Sequence, residues 1–136
     1  MRFPQRIVCL TEEPTEILYR IGEQERIVGI SGFTVRPPQA RREKPKVSAF
    51  ISAKIDKILT LEPDLVIGFS DIQADIAREL IKAGVEVWIS NHRSVDGILA
   101  YTLRLGAMVG AVDKAQALVD EMRAAIATAQ ALALKL

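Results

Sequence analysis

The chain has 136 residues, of which 18 are Lys or Arg and 17 are Asp or Glu, giving a formal net charge of +1. This length predicts one domain with a real core, and the nearly neutral charge argues against a dedicated nucleic-acid-binding protein. Cys9 is the only cysteine, so an internal disulfide is excluded and a small core residue is predicted. The sequence has no run of about 18 apolar residues, so no membrane-spanning helix is predicted.

Short apolar runs typical of strands alternate with amphipathic stretches typical of helices, which predicts an α/β fold with a mainly parallel sheet of four or five strands. The predicted strands cover residues 6–10, 26–30, 64–68 and 85–89, with a further apolar run at 46–49. Strand-like sequence begins almost directly after Met1, so no signal peptide is predicted in the chain as given. The chain would then be cytoplasmic, or its export segment would lie outside this sequence.

Caps and apolar spacing predict the helices between these strands. Ser70 or Asp71 is expected to cap one helix, and Ser94 is expected to open the next. Residues 31–46 include three prolines and are predicted to form a long loop. The helix after Asp71 has its apolar positions at a spacing of four, and these are predicted to be buried: Ile72, Ile76 and Leu80.

Asp113 is predicted to cap a final alanine-rich helix of more than 20 residues, which is unusually long for a domain of this size. We therefore predict an α/β lobe at 1–110 and a connecting helix at 111–136, with a second lobe absent from this chain. The alternatives are a terminal helix that docks on the sheet or a helix that pairs in a dimer.

Three phenylalanines, Phe33, Phe50 and Phe69, each follow an apolar run and stand among Gly, Ser, Thr or Pro. If those runs are parallel strands, all three rings lie at the carboxyl edge of the sheet, where open α/β sheets bind ligands. A cluster of rings there predicts a flat, partly apolar surface for a small molecule. The alternative is that each ring covers the core from its loop.

Catalytic and metal chemistry has little support in the sequence. Glu12, Glu13 and Asp71 would have to converge to act as acid and base groups. His92 is the only histidine and cannot make a closed zinc site. It is a candidate axial ligand to a haem or cobalt centre, and the alternative is a loop residue with a local hydrogen bond. The sequence contains no phosphate-binding glycine motif and no G-x-S-x-G motif.

An ordered set of segments resembles a known family. The segments are RIVCLT at 6–11, TEIL at 15–18, RIVGI at 26–30, RPPQA at 36–40, KVS at 46–48, IDKI at 55–58 and LEPDLVIG at 61–68. Together they are similar to the amino-terminal lobe of the cobalamin and iron-siderophore substrate-binding proteins of ABC importers, with spacing nearest the cobalamin branch. The resemblance implies a Rossmann-like, three-layer lobe that ends in a rigid connecting helix.

The resemblance also implies roles for individual residues. Phe33, Phe50 and Phe69 match aromatic residues that contact the corrin, and polar groups near Ser70 would orient the ligand. Asp56 matches a surface glutamate that docks on the membrane permease, although a solvated helix face explains it equally well. Two departures from the family stand in the ligand region. Glu12-Glu13 would either stabilise a helix N-terminus through its dipole or select a ligand with positive charge or an open metal position. Arg36 stands where the cobalamin branch often has an aromatic residue.

The implied protein is a binding module and not an enzyme. It would have no cofactor of its own, a cobalt or iron chelate as ligand and an ABC permease as partner, at a periplasmic or surface-anchored location. Three alternatives stay open: a cytoplasmic corrinoid or haem carrier or sensor of the same fold, a flavodoxin-like enzyme domain, and a module that dimerises through the exposed half-cleft or the long helix.

Overall fold

Apolar, largely β-branched segments form the sheet at the centre of the computed structural model, which describes residues 3–49 and 52–135. Within those residues six strands lie in the order β4-β3-β2-β1-β5-β6. All neighbours are parallel except β3 and β4. The mainly parallel sheet is confirmed, with the two-residue β4 as an addition. The strands are β1 Ile7–Cys9, β2 Ile27–Ser31, β3 Lys46–Ala49, β4 Ser52–Ala53, β5 Leu65–Phe69 and β6 Val87–Ser90.

Helices cover both faces of this sheet. They are α1 Glu12–Arg20, α2 Pro38–Glu43, α3 Ile55–Thr60, α4 Ala74–Lys82, α5 Val95–Met108 and α6 Val112–Leu134. One buried cluster joins the sheet to α1, α2, α5 and α6, and includes Leu18, Ala40 and Leu105. A second cluster joins the opposite face to α3 and α4 through Ile58 and Leu80. The predicted three-layer α/β arrangement is therefore confirmed.

Several predicted details of the helices are wrong, each for a local reason. The segment 31–46 is not all loop, because Pro38 is the first residue of α2, a position where proline needs no amide hydrogen. Ile72 is 53% exposed because residues 71–73 form a separate 3-10 turn before α4. Asp113 lies inside the first turn of α6, and Ala111 occupies the cap position. Ser94 caps α5 as predicted, with its Oγ accepting from the Gly97 amide at 3.0 Å.

The two halves of α6 differ in burial. In the first half Ala115 packs so closely on α5 that a Cβ added to Gly106 would lie 2.2 Å from its methyl group. Leu118 and Val119 are also buried, whereas Leu132 is 58% exposed.

The division into a lobe at 1–110 and a connecting helix at 111–136 remains a prediction. In the part of the chain that is described, no helix is long and apolar enough to cross a membrane.

Candidate functional site

The carboxyl edge of the sheet collects most of the residues that the sequence singled out. Phe33 follows β2, Phe69 ends β5, and Glu12 and Glu13 begin α1 directly after β1. Phe69 is in register with Ser90 on β6, two residues before His92, so these segments meet at the same edge. Phe50 lies outside the described residues.

His92 is the most connected side chain at this edge. Its Nε2 lies 2.7 Å from Oε1 of Glu13, and its Nδ1 lies 2.5 Å from Oγ of Ser90. The imidazole also packs between two rings, with centroid distances of 5.1 Å to Phe69 and 4.6 Å to Tyr101. Both ring nitrogens have partners, so service as an axial metal ligand would first require loss of one of these contacts.

Glu13 holds this cluster from the opposite side. Burial raises the pKa of its carboxyl above the usual range, and the charge of His92 and its hydrogen bond oppose that rise. A partly buried carboxylate is stable where a cationic or hydrogen-bonding partner faces it. Glu13 therefore fastens the loop after β6 to the start of α1, and its carboxylate serves an internal contact.

Glu12 fixes the loop that carries Phe33. One of its carboxylate oxygens accepts from the Val35 amide at 2.7 Å, and the other lies 3.7 Å from Nε of Arg36. The Phe33 amide donates to Oγ of Ser31 at 3.1 Å. These bonds anchor the backbone on both sides of Phe33, whose ring is 66% exposed.

Gln73 is a buried residue that supports Phe69 and that the sequence did not single out. Its Oε1 accepts from the Phe69 amide at 2.7 Å, and its Nε2 donates to the Leu10 carbonyl at 3.2 Å. Buried backbone groups need such partners where a strand ends. The sequence feature that could have indicated this role is a glutamine between the predicted strand at 64–68 and the helix that follows it. A buried side-chain amide at such a position can bond to backbone groups that have no partner strand.

Ser70, between Phe69 and Gln73, has a structural role in the turn that follows β5. It is almost completely buried and has a φ of 62°, in a region that L-residues seldom adopt. Its Oγ accepts from the Ile72 amide at 3.3 Å. The hydroxyl therefore shapes the turn after β5 and presents little surface to a ligand.

Phe69 is held on two sides, which gives its ring a defined orientation. His92 meets it edge-on at an interplanar angle of 64°, and the Arg93 guanidinium lies 5.5 Å from its centroid. Arginine near an aromatic face is attracted by the ring quadrupole. The carboxyl edge thus combines one exposed ring, Phe33, with one braced ring, Phe69.

The acidic residues at this edge do not form an acid–base group. Glu12 faces Arg36, Glu13 faces His92, and Asp71 faces Arg93 at 3.9 Å. Among the residues described, no group of three or more His, Cys, Asp or Glu side chains is placed to hold a metal ion.

Asp56 lies in the first turn of α3, after the short strand β4. It is exposed and its carboxylate has no ion-pair partner among the described side chains. The structure thus leaves this carboxylate open to another molecule.

Comparison with known proteins agrees with this geometry. A family model described as a periplasmic binding protein matches residues 7–135. The chain is similar to the cobalamin-binding protein of Halobacterium salinarum, with 28% identity over 126 residues, which cover 91% of this chain and 34% of that protein. It therefore spans about a third of the length of this relative.

Two solved structures show the same fold. The periplasmic heme-binding protein RhuT from Roseiflexus sp. RS-1 has a TM-score of 0.87 and 27% identity, over 97% of this chain and 51% of that one. The periplasmic vitamin B12 binding protein BtuF of Vibrio cholerae has a TM-score of 0.81 and 27% identity, and the match covers 92% of this chain and 49% of that one. This chain corresponds to roughly one lobe of such structures.

The family match covers nearly the whole chain. The similarity to these structures confirms the mainly parallel sheet and the long final helix that the resemblance implies. The compared proteins are described as binding proteins, for cobalamin, heme and vitamin B12 respectively. The chain belongs to the periplasmic binding protein family.

Proposed function

We propose that this chain is part of the substrate-binding component of an ABC importer and binds a metal chelate at the carboxyl edge of its sheet. The ligand class is a corrinoid, haem or ferric siderophore, which would be cargo and not a resident cofactor. One observation carries the proposal: the exposed ring of Phe33 and the braced ring of Phe69 share the edge where parallel sheets bind ligands.

The physical basis is contact with apolar ring area. A fully buried aromatic side chain contributes about 2 kcal/mol through removal of apolar surface from water. Glu12 and Gln73 already fix the backbone at Phe33 and Phe69, so little ordering is needed when the ligand arrives. This lobe alone contacts one face of a flat ligand, so we expect weaker binding than a closed two-lobed cleft would give.

The family supports a location and a partner for this function. We propose a periplasmic or surface-anchored protein that delivers its ligand to a membrane permease. The exposed carboxylate of Asp56 on α3 is the proposed docking group on this lobe.

The test is a titration of the 136-residue chain with hydroxocobalamin, haemin and a ferric siderophore. Ligand absorbance and Trp88 fluorescence are both followed. Trp88 is a suitable reporter because it stacks on Tyr101 at 5.0 Å, and Tyr101 contacts His92 beside Phe69. We expect saturable binding of one of the three ligands.

The informative variant replaces both edge rings, Phe33→Ala with Phe69→Ala. Without these rings the binding free energy should be weaker by about 2 kcal/mol or more, so the Kd should rise by roughly 30-fold or more. Phe3→Ala is the matched control, since Phe3 is also exposed but precedes β1 at the other edge of the sheet. Equal weakening in both variants, or no saturable binding to any ligand by a folded chain, would overturn the proposal.

A further inference from the structure

Six cations lie within residues 41–57, the segment from α2 through β3 to α3, and form what we call the basic edge: Arg41, Arg42, Lys44, Lys46, Lys54 and Lys57. Residues 41–57 hold these six of the chain's 18 basic residues but only two of its 17 acidic ones. The segment has a net charge of +4, and the remainder of the chain has a net charge of −3. The nearly neutral total therefore hides a strong separation of charge.

Direct contacts show that three of these cations, Arg41, Lys46 and Lys57, are neighbours in space. Nζ of Lys57 donates to the Lys46 carbonyl at 2.8 Å, and Nζ of Lys46 donates to the Arg41 carbonyl at 2.5 Å. Arg41 in turn donates to the carbonyls of Gly32 and Thr34 at 2.9 Å. The cations thus extend from α3 across β3 to α2, around the β3 side of the sheet.

The positive charge of the basic edge is not neutralised within the described structure. None of the six cations forms an ion pair with a described carboxylate. Glu43, one of the two acids in the segment, accepts from the Tyr19 hydroxyl at 2.6 Å. Carbonyl oxygens satisfy several donors of the basic edge but carry no full charge, so the field of the cations extends into solvent.

We propose that the basic edge binds the anionic headgroups of a phospholipid surface. Large exposed apolar side chains are found elsewhere among the described residues, for example Phe33, Ile81 and Leu134, and not within the described part of 41–57. Protein interfaces usually centre on buried aromatic or aliphatic anchors. A headgroup layer needs only several flexible cations on one flank, and each contributes roughly fivefold to the partition coefficient.

This inference does not depend on the ligand at the carboxyl edge. It predicts attachment that is electrostatic, reversible and sensitive to salt, because the screening length is about 8 Å at physiological ionic strength. The separation of charge would also orient the lobe, with its basic edge toward the lipid surface. Asp56 lies within this flank, so the orientation would place its carboxylate near the membrane.

The test is co-sedimentation of the full chain with phosphatidylcholine vesicles, with and without phosphatidylglycerol, at low salt. We expect partition onto the phosphatidylglycerol vesicles alone, and release at about 0.5 M NaCl. The test variant is Arg42→Gln with Lys54→Gln, because both side chains are exposed and neither forms a hydrogen bond or ion pair among the described residues. Its partition should fall roughly 25-fold.

The matched control is Arg78→Gln with Lys82→Gln, which removes one Arg and one Lys from the exposed surface of α4. Its partition should stay within about twofold of the starting value, and circular dichroism should show both variants folded. An equal fall in both variants, or no partition onto anionic vesicles, would overturn the proposal. Retention by an immobilised acidic peptide without vesicle binding would also overturn it, in favour of an acidic protein partner.

Discussion

The two edges of the sheet are built from the same strands but end in different ways. At the amino edge, the carboxylate of Asp64 accepts from the amides of Gln5 and Arg6 at 2.8 and 2.9 Å. The Arg6 guanidinium then donates to the Leu61 carbonyl through two nitrogens. Hydrogen bonds between neighbouring loops therefore close this edge.

The carboxyl edge uses its hydrogen bonds to position rings that remain accessible. Glu12, Gln73 and His92 fix the backbone or ring beside Phe33 and Phe69, while the Phe33 ring itself stays exposed. The contrast is that polar groups at the amino edge join neighbouring loops to one another, whereas those at the carboxyl edge also hold the backbone beside the rings that we propose contact the ligand. Changes at the two edges should separate these roles.

The largest effect is expected at Gln73. Gln73→Leu removes the amide that pairs with the Phe69 N–H and the Leu10 carbonyl, and leaves two buried backbone groups without that partner. We expect a loss of about 3 kcal/mol in the free energy of unfolding, together with weaker ligand binding because Phe69 loses its support. Urea denaturation and the ligand titration measure the two effects.

Gln116→Leu is the control for this change, since Gln116 is exposed on α6 and bonds only to Asp120 among the described residues. This control substitution should lower the free energy of unfolding by less than about 0.5 kcal/mol. A Gln73→Leu protein as stable as this control would show that the buried amide is not a structural link.

The amino edge should give a smaller effect of a different kind. Asp64→Ala removes two bonds to backbone amides, and we expect a loss of about 2 kcal/mol in stability. Ligand binding by the folded fraction should be unchanged, because the site lies at the opposite edge. A loss of binding affinity in this variant, measured well below its unfolding transition, would contradict the assignment of the two edges.

The smallest effect concerns Cys9 on β1, the strand that joins both edges. Burial raises the pKa of its thiol from 9.0 to about 12, and the neighbouring Thr15 hydroxyl and the charge of Lys44 oppose that rise. The unfolded thiol ionises near pH 9 while the native thiol stays protonated, so this stabilisation is complete below pH 9 and is lost as the pH rises toward 12.

At pH 10 the loss from Cys9 should reach about 1.4 kcal/mol relative to neutral pH. Burial also raises the pKa of Tyr101 well above its usual value of 10.0. A second loss of stability should therefore begin near pH 10, where the phenol of the unfolded chain starts to ionise. Urea denaturation at several alkaline pH values should show a shallower decline for Cys9→Ala than for the starting protein. Identical declines would mean that the thiol does not remain buried and protonated.

Local sequence rules predicted much of the fold. Strand periodicity located the parallel runs, and the Ser94 cap and the long α6 were visible as a polar start and an apolar stripe. The positions of Phe33 and Phe69 followed from strand ends alone. These features depend on residues close together in the chain, which is why pattern could find them.

The features that were missed depend on context. Pro38 suggested an interruption, yet proline is well suited to the first position of a helix such as α2. The pairing of Glu13 with His92 joins residues 79 positions apart, and the buried amide of Gln73 reaches back to Leu10. Such contacts are set by strand order and not by local propensity, so the sequence named Glu13 and His92 without showing that they meet.

The central claim is that the carboxyl edge is the binding edge, and hydrogen exchange with mass spectrometry tests it most directly. Amide exchange in the 136-residue chain is compared with and without haemin, and with and without hydroxocobalamin. We predict slower exchange at residues 32–36, 70–73 and 91–94 with the ligand that binds, and unchanged exchange at 4–6 and 61–64. Protection centred on the amino edge, or saturable binding with no protection at the carboxyl edge, would contradict the account.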